Sequence, residues 1–151
     1  ISATPVDRAP IPDEGATNVA GIAIVGSDMY CVKTTGLKTT LLKTTDYTTA
    51  KATAVKKDLN WFALGLTKIG NYLYMLAEDH KGYGGSTTIV KLDTKGNQLG
   101  TYNIKNICPN GALGITAADG TNEKFIIMHY TDSNNAGTLT FSVVNWKESD
   151  A

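Results

Sequence analysis

Two short stretches of the chain hold the residue types that do chemistry. Residues 77–86 read Ala-Glu-Asp-His-Lys-Gly-Tyr-Gly-Gly-Ser, which places Glu78, Asp79, His80 and Tyr83 in one glycine-rich loop. Residues 129–135 read His-Tyr-Thr-Asp-Ser-Asn-Asn and add His129, Tyr130 and Asp132. Carboxylate, imidazole and phenol groups together donate and accept hydrogen bonds, and tyrosine rings offer stacking surface. That set suits a hydroxylated ligand such as a glycan, or a polar protein surface. The competing reading is a pair of solvated loops with no ligand.

Other chemistries find less in these residues. A metal site needs three or four converging ligands. Asp132-Ser133-Asn134 offers oxygens, but it lacks the glycine and terminal glutamate of a calcium loop. No metal or cofactor is expected. Ser86, His80 and Asp132 have the residue types of a hydrolytic triad, yet no Gly-x-Ser-x-Gly elbow is present. Cys31 lies mid-strand between Tyr30 and Val32, and Cys108 precedes Pro109. Neither cysteine has the setting of an activated nucleophile, and two buried, unbridged thiols are expected. No catalytic residue is assigned.

Loops act when a rigid scaffold positions them, and here the scaffold is a repeat. Ala20-Gly21-Ile22, Ala63-Leu64-Gly65-Leu66 and Ala112-Leu113-Gly114-Ile115 line up, with their glycines 44 and 49 residues apart. This period fits a four-stranded propeller blade of roughly 40 to 50 residues. In each unit a glycine-containing apolar strand is followed by a turn: Gly26-Ser27-Asp28, Gly70-Asn71 or Asp119-Gly120. A second strand follows at 29–32, 72–76 or 125–129, and a third at 39–42, 87–92 or 138–144. Residues 98–104 give a fourth strand. Only residues 50–59, rich in Ala and Lys, suggest a helical turn. Alignment from the turns puts Lys33, Ala77 and His129 at one position, and Thr34, Glu78 and Tyr130 at the next. Both candidate loops are therefore expected on one face.

The three units resemble the secreted β-propeller repeats written G-I-A-x(n)-D-G-x-x-Y-V, the YVTN and NHL-like group, over most of residues 19–146. The first unit departs in its turn, which lacks the Asp-Gly order. The third departs in the four residues between Gly120 and Phe125. The resemblance implies an all-β fold, a β-propeller with three four-stranded blades at about residues 16–60, 61–108 and 109–151. It implies little about activity, because this architecture hosts enzymes, lectins and scaffolds alike.

Three blades do not close a ring, since natural propellers have about 4 to 8. Open ends leave raw strand edges. The expectation is a homo-oligomer, most simply a dimer, or a partner chain or further segment that completes the ring. Residues 1–15, with Pro5, Pro10 and Pro12, read as an extended N-terminal arm able to reach such a partner. Four threonine pairs (34–35, 39–40, 44–45 and 48–49) read as a half-exposed outer hairpin of the first blade.

Composition narrows the class. The 151 residues carry 14 basic and 14 acidic side chains, with none of the basic excess that drives nucleic-acid binding. No apolar run approaches the roughly 20 residues of a membrane-spanning helix. Charged residues are 19% of the chain, against roughly 25% in average globular proteins, and threonine is abundant. This balance, with a start at Ile1 that fits a processed precursor or a fragment, suggests an extracellular or cell-surface protein. The functional expectation is a secreted, non-catalytic binding or assembly module with a glycan or protein ligand. The alternative is half of a propeller hydrolase or lyase, which would need carboxylates and histidine lining a central channel.

Overall fold

A computed structural model describes residues 18–45, 52–79, 86–119, 123–131 and 138–147. The expected arm at 1–15 lies outside them. The fold is all-β and consists of antiparallel meanders. The first sheet holds β1 (Asn18–Val25), β2 (Asp28–Thr35), β3 (Lys38–Thr44) and β4 (Thr53–Leu59). The second holds β5 (Trp61–Ile69), β6 (Tyr72–Asp79), β7 (Thr87–Leu92) and β8 (Gln98–Asn103). Among the described residues the third sheet holds β9 (Ala112–Asp119), β10 (Lys124–Tyr130) and β11 (Leu139–Asn145). No helix of the described residues is long and apolar enough to cross a membrane.

The helical turn suggested by residues 50–59 is instead strand β4. Its Thr53, Ala54, Lys56 and Leu59 pair with Lys43, Leu42, Leu41 and Thr39 of β3. Helix propensity amounts to tenths of a kcal/mol per residue, and an unpaired neighbouring strand edge overrides it.

The sheets pack face to face in chain order, with their first strands side by side, β1 against β5 and β5 against β9. One core lies between the first and second sheets and includes Tyr30, Val32, Leu41, Leu66, Leu73, Met75 and Val90. Another lies between the second and third and includes Tyr74, Leu76, Ile89, Phe125 and Ile127. Because β6 has a core on each side, Leu73, Met75 and Ala77 enter one and Tyr74 and Leu76 the other. A strand buried on both faces reads as a continuous apolar run, which is what residues 72–77 show.

The repeat is kept rung by rung. The pairs Ile22–Cys31, Leu66–Met75 and Ile115–Ile127 are equivalent, as are Val32–Leu41, Leu76–Ile89 and Met128–Phe141. Each first strand also carries a bulge near its glycine, a device that bends and twists the strand. Gly21 and Gly65 lie where the first strands of neighbouring sheets meet closely. A Cβ on Gly21 would lie 2.4 Å from the Leu66 nitrogen, and one on Gly65 would lie 3.4 Å from Ile115 Cγ2. The residue after each glycine thus packs on the glycine of the sheet before it.

The described threonine pairs lie along the hairpin of β2 and β3, with one member of each buried. In the pairs at 34–35, 39–40 and 44–45, Thr34, Thr39 and Thr44 are buried, Thr40 is half-buried and Thr35 and Thr45 are exposed; the pair at 48–49 lies outside the described residues. The buried members act as a clamp. Thr34 and Thr39 share a hydroxyl bond of 3.0 Å, and Thr39 Oγ1 donates to the Trp61 carbonyl at 2.7 Å. The Ala63 N–H donates to Thr34 Oγ1 at 3.3 Å. The first sheet is thereby tied to the start of β5 by polar bonds inside an apolar contact. Replacing Thr39 with valine is expected to cost about 1–2 kcal/mol in urea unfolding. Thr40→Val, on the opposite side, should change stability by less than about 0.5 kcal/mol.

Candidate functional site

The candidate residues sit where β6 and β10 end. In the first sheet the equivalent connection is a two-residue turn: Thr35 pairs with Lys38 across Gly36 and Leu37. The second and third sheets expand it. The Asp79 N–H donates to the Ser86 carbonyl at 3.2 Å, closing the base of the segment that carries His80 and Tyr83. The Thr131 N–H and Oγ1 both donate to the Thr138 carbonyl, at 3.1 and 3.3 Å, closing the base of the segment that carries Asp132. His80, Tyr83 and Asp132 themselves lie outside the described residues. Glu78, Asp79, His129 and Tyr130 lie within them, at matching ends of the second strands of neighbouring sheets.

These four residues differ in what they can offer. Glu78 is half-buried; burial, and then the neighbouring Asp79 carboxylate, hold its carboxyl above the usual range. It keeps its proton to higher pH than an exposed glutamate. A raised carboxyl pKa favours the fold below the ordinary range, and that contribution is lost as pH rises through the folded-state value. Glu78→Gln should therefore raise the melting temperature slightly at pH 7, by at most about 2 °C. The gain should vanish below about pH 4, where the unfolded carboxyl is also protonated.

His129 is only 5% exposed. Its Nε2 bonds Ser142 Oγ at 2.7 Å and its Nδ1 lies 3.1 Å from the Tyr130 carbonyl. Both ring nitrogens are committed to the protein, so this imidazole ties β10 to β11. The Tyr130 N–H donates to the Gly111 carbonyl at 3.1 Å, which anchors the backbone beneath the third-sheet loop.

A second polar cluster occupies the other end of the second and third sheets. Glu123 Oε2 accepts from the Tyr74 hydroxyl at 2.5 Å and from Lys91 Nζ at 3.0 Å. The Lys91 ammonium lies 4.5 Å from the Tyr72 ring centre and 6.0 Å from that of Trp146. Trp146 stands edge-on to Tyr74 at 5.7 Å and to Tyr102 at 6.0 Å. Partial desolvation pushes the Glu123 carboxyl up, but the Tyr74 hydroxyl and Lys91 outweigh it and hold the group below its usual range. An open hollow of about 410 Å³ beside it is lined by Glu123, Lys124, Asn145 and Trp146. The sequence pattern exposes this cluster only in part, because Glu123 and Trp146 recur in no other unit while Lys91 is matched by Lys43 of the first sheet. The legible signal is the tyrosine–lysine pair at equivalent rungs, Tyr30 across from Lys43 and Tyr74 across from Lys91.

Both of those phenols are held above the usual tyrosine range. For Tyr74 burial is the largest cause, followed by Glu123; for Tyr30 burial leads, then Asp28, with a Thr94 hydrogen bond opposing. A raised phenol favours the fold up to about pH 10, and that contribution is lost as pH rises further. In a spectrophotometric alkaline titration of the seven tyrosines, these two should ionise last, together with loss of the near-UV dichroism. Two phenols ionising near pH 10 in an intact fold, in Tyr30→Phe and Tyr74→Phe difference titrations, would contradict this.

Cys31 and Cys108 are free thiols. Burial pushes Cys108 up to about 11; burial also raises Cys31, with Lys33 opposing. Both are protonated near neutral pH, which is unsuited to nucleophilic attack. Among the described residues no group of three or more His, Cys, Asp or Glu is placed to hold a metal ion. Comparison of the sequence with protein-family models and with curated proteins finds no match.

Proposed function

We propose that this chain is a secreted, non-catalytic binding and assembly module built as a partial β-propeller. Its three sheets are blades, its open ends are closed by further blades, and its ligand is a glycan or a polar protein surface. The observation that carries the binding role is the expansion of one connection. Where the first sheet makes a two-residue turn, the second and third carry longer loops at the same end of the stack. At their feet stand Glu78 and Asp79 on β6 and Tyr130 on β10, and the loops themselves bear His80, Tyr83 and Asp132. Adjacent loops on a packed scaffold are a common way to present a ligand site.

The propeller reading is supported by the chain-order stacking of meanders, with first strands side by side, and by the retained rungs. Composition supports an extracellular setting, being low in charge and rich in threonine. The hydrolase reading asks for carboxylates and histidine on the first strands. Strands β1, β5 and β9 carry no histidine, and their one carboxylate is Asp119 at the end of β9.

The binding role is tested on an array of neutral glycans. The wild-type chain should be retained on a subset of them, and the His80→Ala/Tyr83→Ala double variant should lose that signal while its melting temperature moves by less than about 2 °C. A wild-type chain that binds nothing, with a double variant several degrees less stable, would make these residues structural and end the reading.

A further inference from the structure

We propose that two copies of this chain close on one another head to tail, with Ile22 of each seated over Gly114 of the other. The proposal rests on the propeller reading above and names the contact that completes it.

The molecule already makes this contact twice. Leu66, which follows Gly65, packs on Gly21 of the sheet before it, and Ile115, which follows Gly114, packs on Gly65. Each sheet thus presents an aliphatic knob to one neighbour and a glycine hollow to the other. At the two ends of the stack one knob and one hollow are left over. Ile22 is the equivalent of Leu66, yet it is 62% exposed where Leu66 is 5% exposed. Among the described residues a Cβ on Gly114 would meet only Met128 Cε, at 3.9 Å within its own sheet. The outer rungs agree. Leu41 and Ile89 are fully buried by the following sheet, while their equivalent Phe141 is 70% exposed. Val143 lies beside Phe141 on the same side of β11, and Ile24 lies beside Ile22 on β1, each likewise exposed.

These two faces match each other and not themselves, as the faces of the internal contacts do. A second copy therefore supplies both missing halves at once, and the balanced charge of the chain sets up no repulsion between copies. With a half-turn between copies both contacts form at once and the pair closes with two-fold symmetry; any other rotation would give a larger ring or a fibre. Two copies of three sheets give six, inside the roughly 4 to 8 found in closed propellers.

The test uses cysteine pairs. Because Ile22 pairs directly with Cys31 across β1 and β2, Cys31→Ser is made first; Cys108 is buried and stays. Adding Ile22→Cys and Gly114→Cys, then oxidising with copper phenanthroline, should give a non-reducing band of two chains that dithiothreitol reverses. Neither single cysteine variant should give it. A ladder of higher multiples would overturn the closed ring. A particle of twice 16.1 kDa without the cross-link would overturn the Ile22–Gly114 seat while leaving the propeller reading standing. The binding role is tested separately, by the glycan array. Should the engineered cysteines disturb folding, Ile22→Arg alone decides. It should halve the particle mass and leave the far-UV dichroism unchanged, and an unchanged mass would overturn the proposal.

Discussion

Gly21→Ala should lower stability by about 2–4 kcal/mol, a fall in melting temperature of roughly 5–15 °C for a chain of this size. Two costs combine. Gly21 has φ of +71°, a conformation that costs an L-residue roughly 1–2 kcal/mol. Its new Cβ would also fall 2.4 Å from the Leu66 nitrogen, a backbone atom that cannot rotate away. Overpacking of that kind costs about 1–3 kcal/mol more. Gly26→Ala separates the two effects, since Gly26 has φ of +63° with nothing within 4 Å of the added carbon. Its loss should be about 1 kcal/mol. Equal losses for the two variants in urea unfolding would mean that β1 and β5 do not meet at Gly21.

Tyr74→Ala should be comparably severe, at about 3–5 kcal/mol, the range for removing a buried aromatic side chain. The ring is almost fully buried and packs 4.8 Å from Phe125 and 5.7 Å from Trp146. Tyr74→Phe isolates the hydroxyl. It keeps the rings together and removes only the bond to Glu123, for about 1.5–3 kcal/mol, as a hydrogen bond to a charged group. Glu123→Gln in the Tyr74→Phe background should then add less than it does alone, because the two residues share one interaction. Additive losses in that double-mutant cycle would show that the phenol and the carboxylate do not act together.

The parts of this molecule legible in its sequence are those set by local pattern. The hairpins around Gly26-Ser27 and Gly70-Asn71, the apolar second strands and the spacing of Gly21, Gly65 and Gly114 all follow from turn chemistry and period-two alternation. The alignment of Lys33, Ala77 and His129 is likewise kept in the strand registers. Local pattern misleads where a distant partner decides. Residues 53–59 form a strand because β3 offers an edge to pair with, and Thr34, Thr39 and Thr44 are buried because the second sheet lies over them. Nothing within a few residues of either segment carries that information.

The candidate site shows the same division. Loop composition located Glu78 and Asp79, but not that burial keeps Glu78 protonated to higher pH. Nor did it show that His129 spends both nitrogens on Ser142 and the Tyr130 carbonyl. Lys91 and Glu123 are 32 residues apart, and only the stacking of the second sheet on the third makes them a pair. The exposed Ile22 and Phe141 look like ordinary core residues in the sequence. Their meaning emerges only when the buried Leu66, Leu41 and Ile89 at the same rungs are set beside them.

The proposed covering of the two open faces of the stack by a second copy of the chain is tested most directly by the native mass. Multi-angle light scattering on the eluting peak at micromolar concentration should give twice 16.1 kDa, unchanged on dilution through the range in which Ile22→Arg is already a single chain. A monodisperse wild-type peak at 16.1 kDa would contradict it.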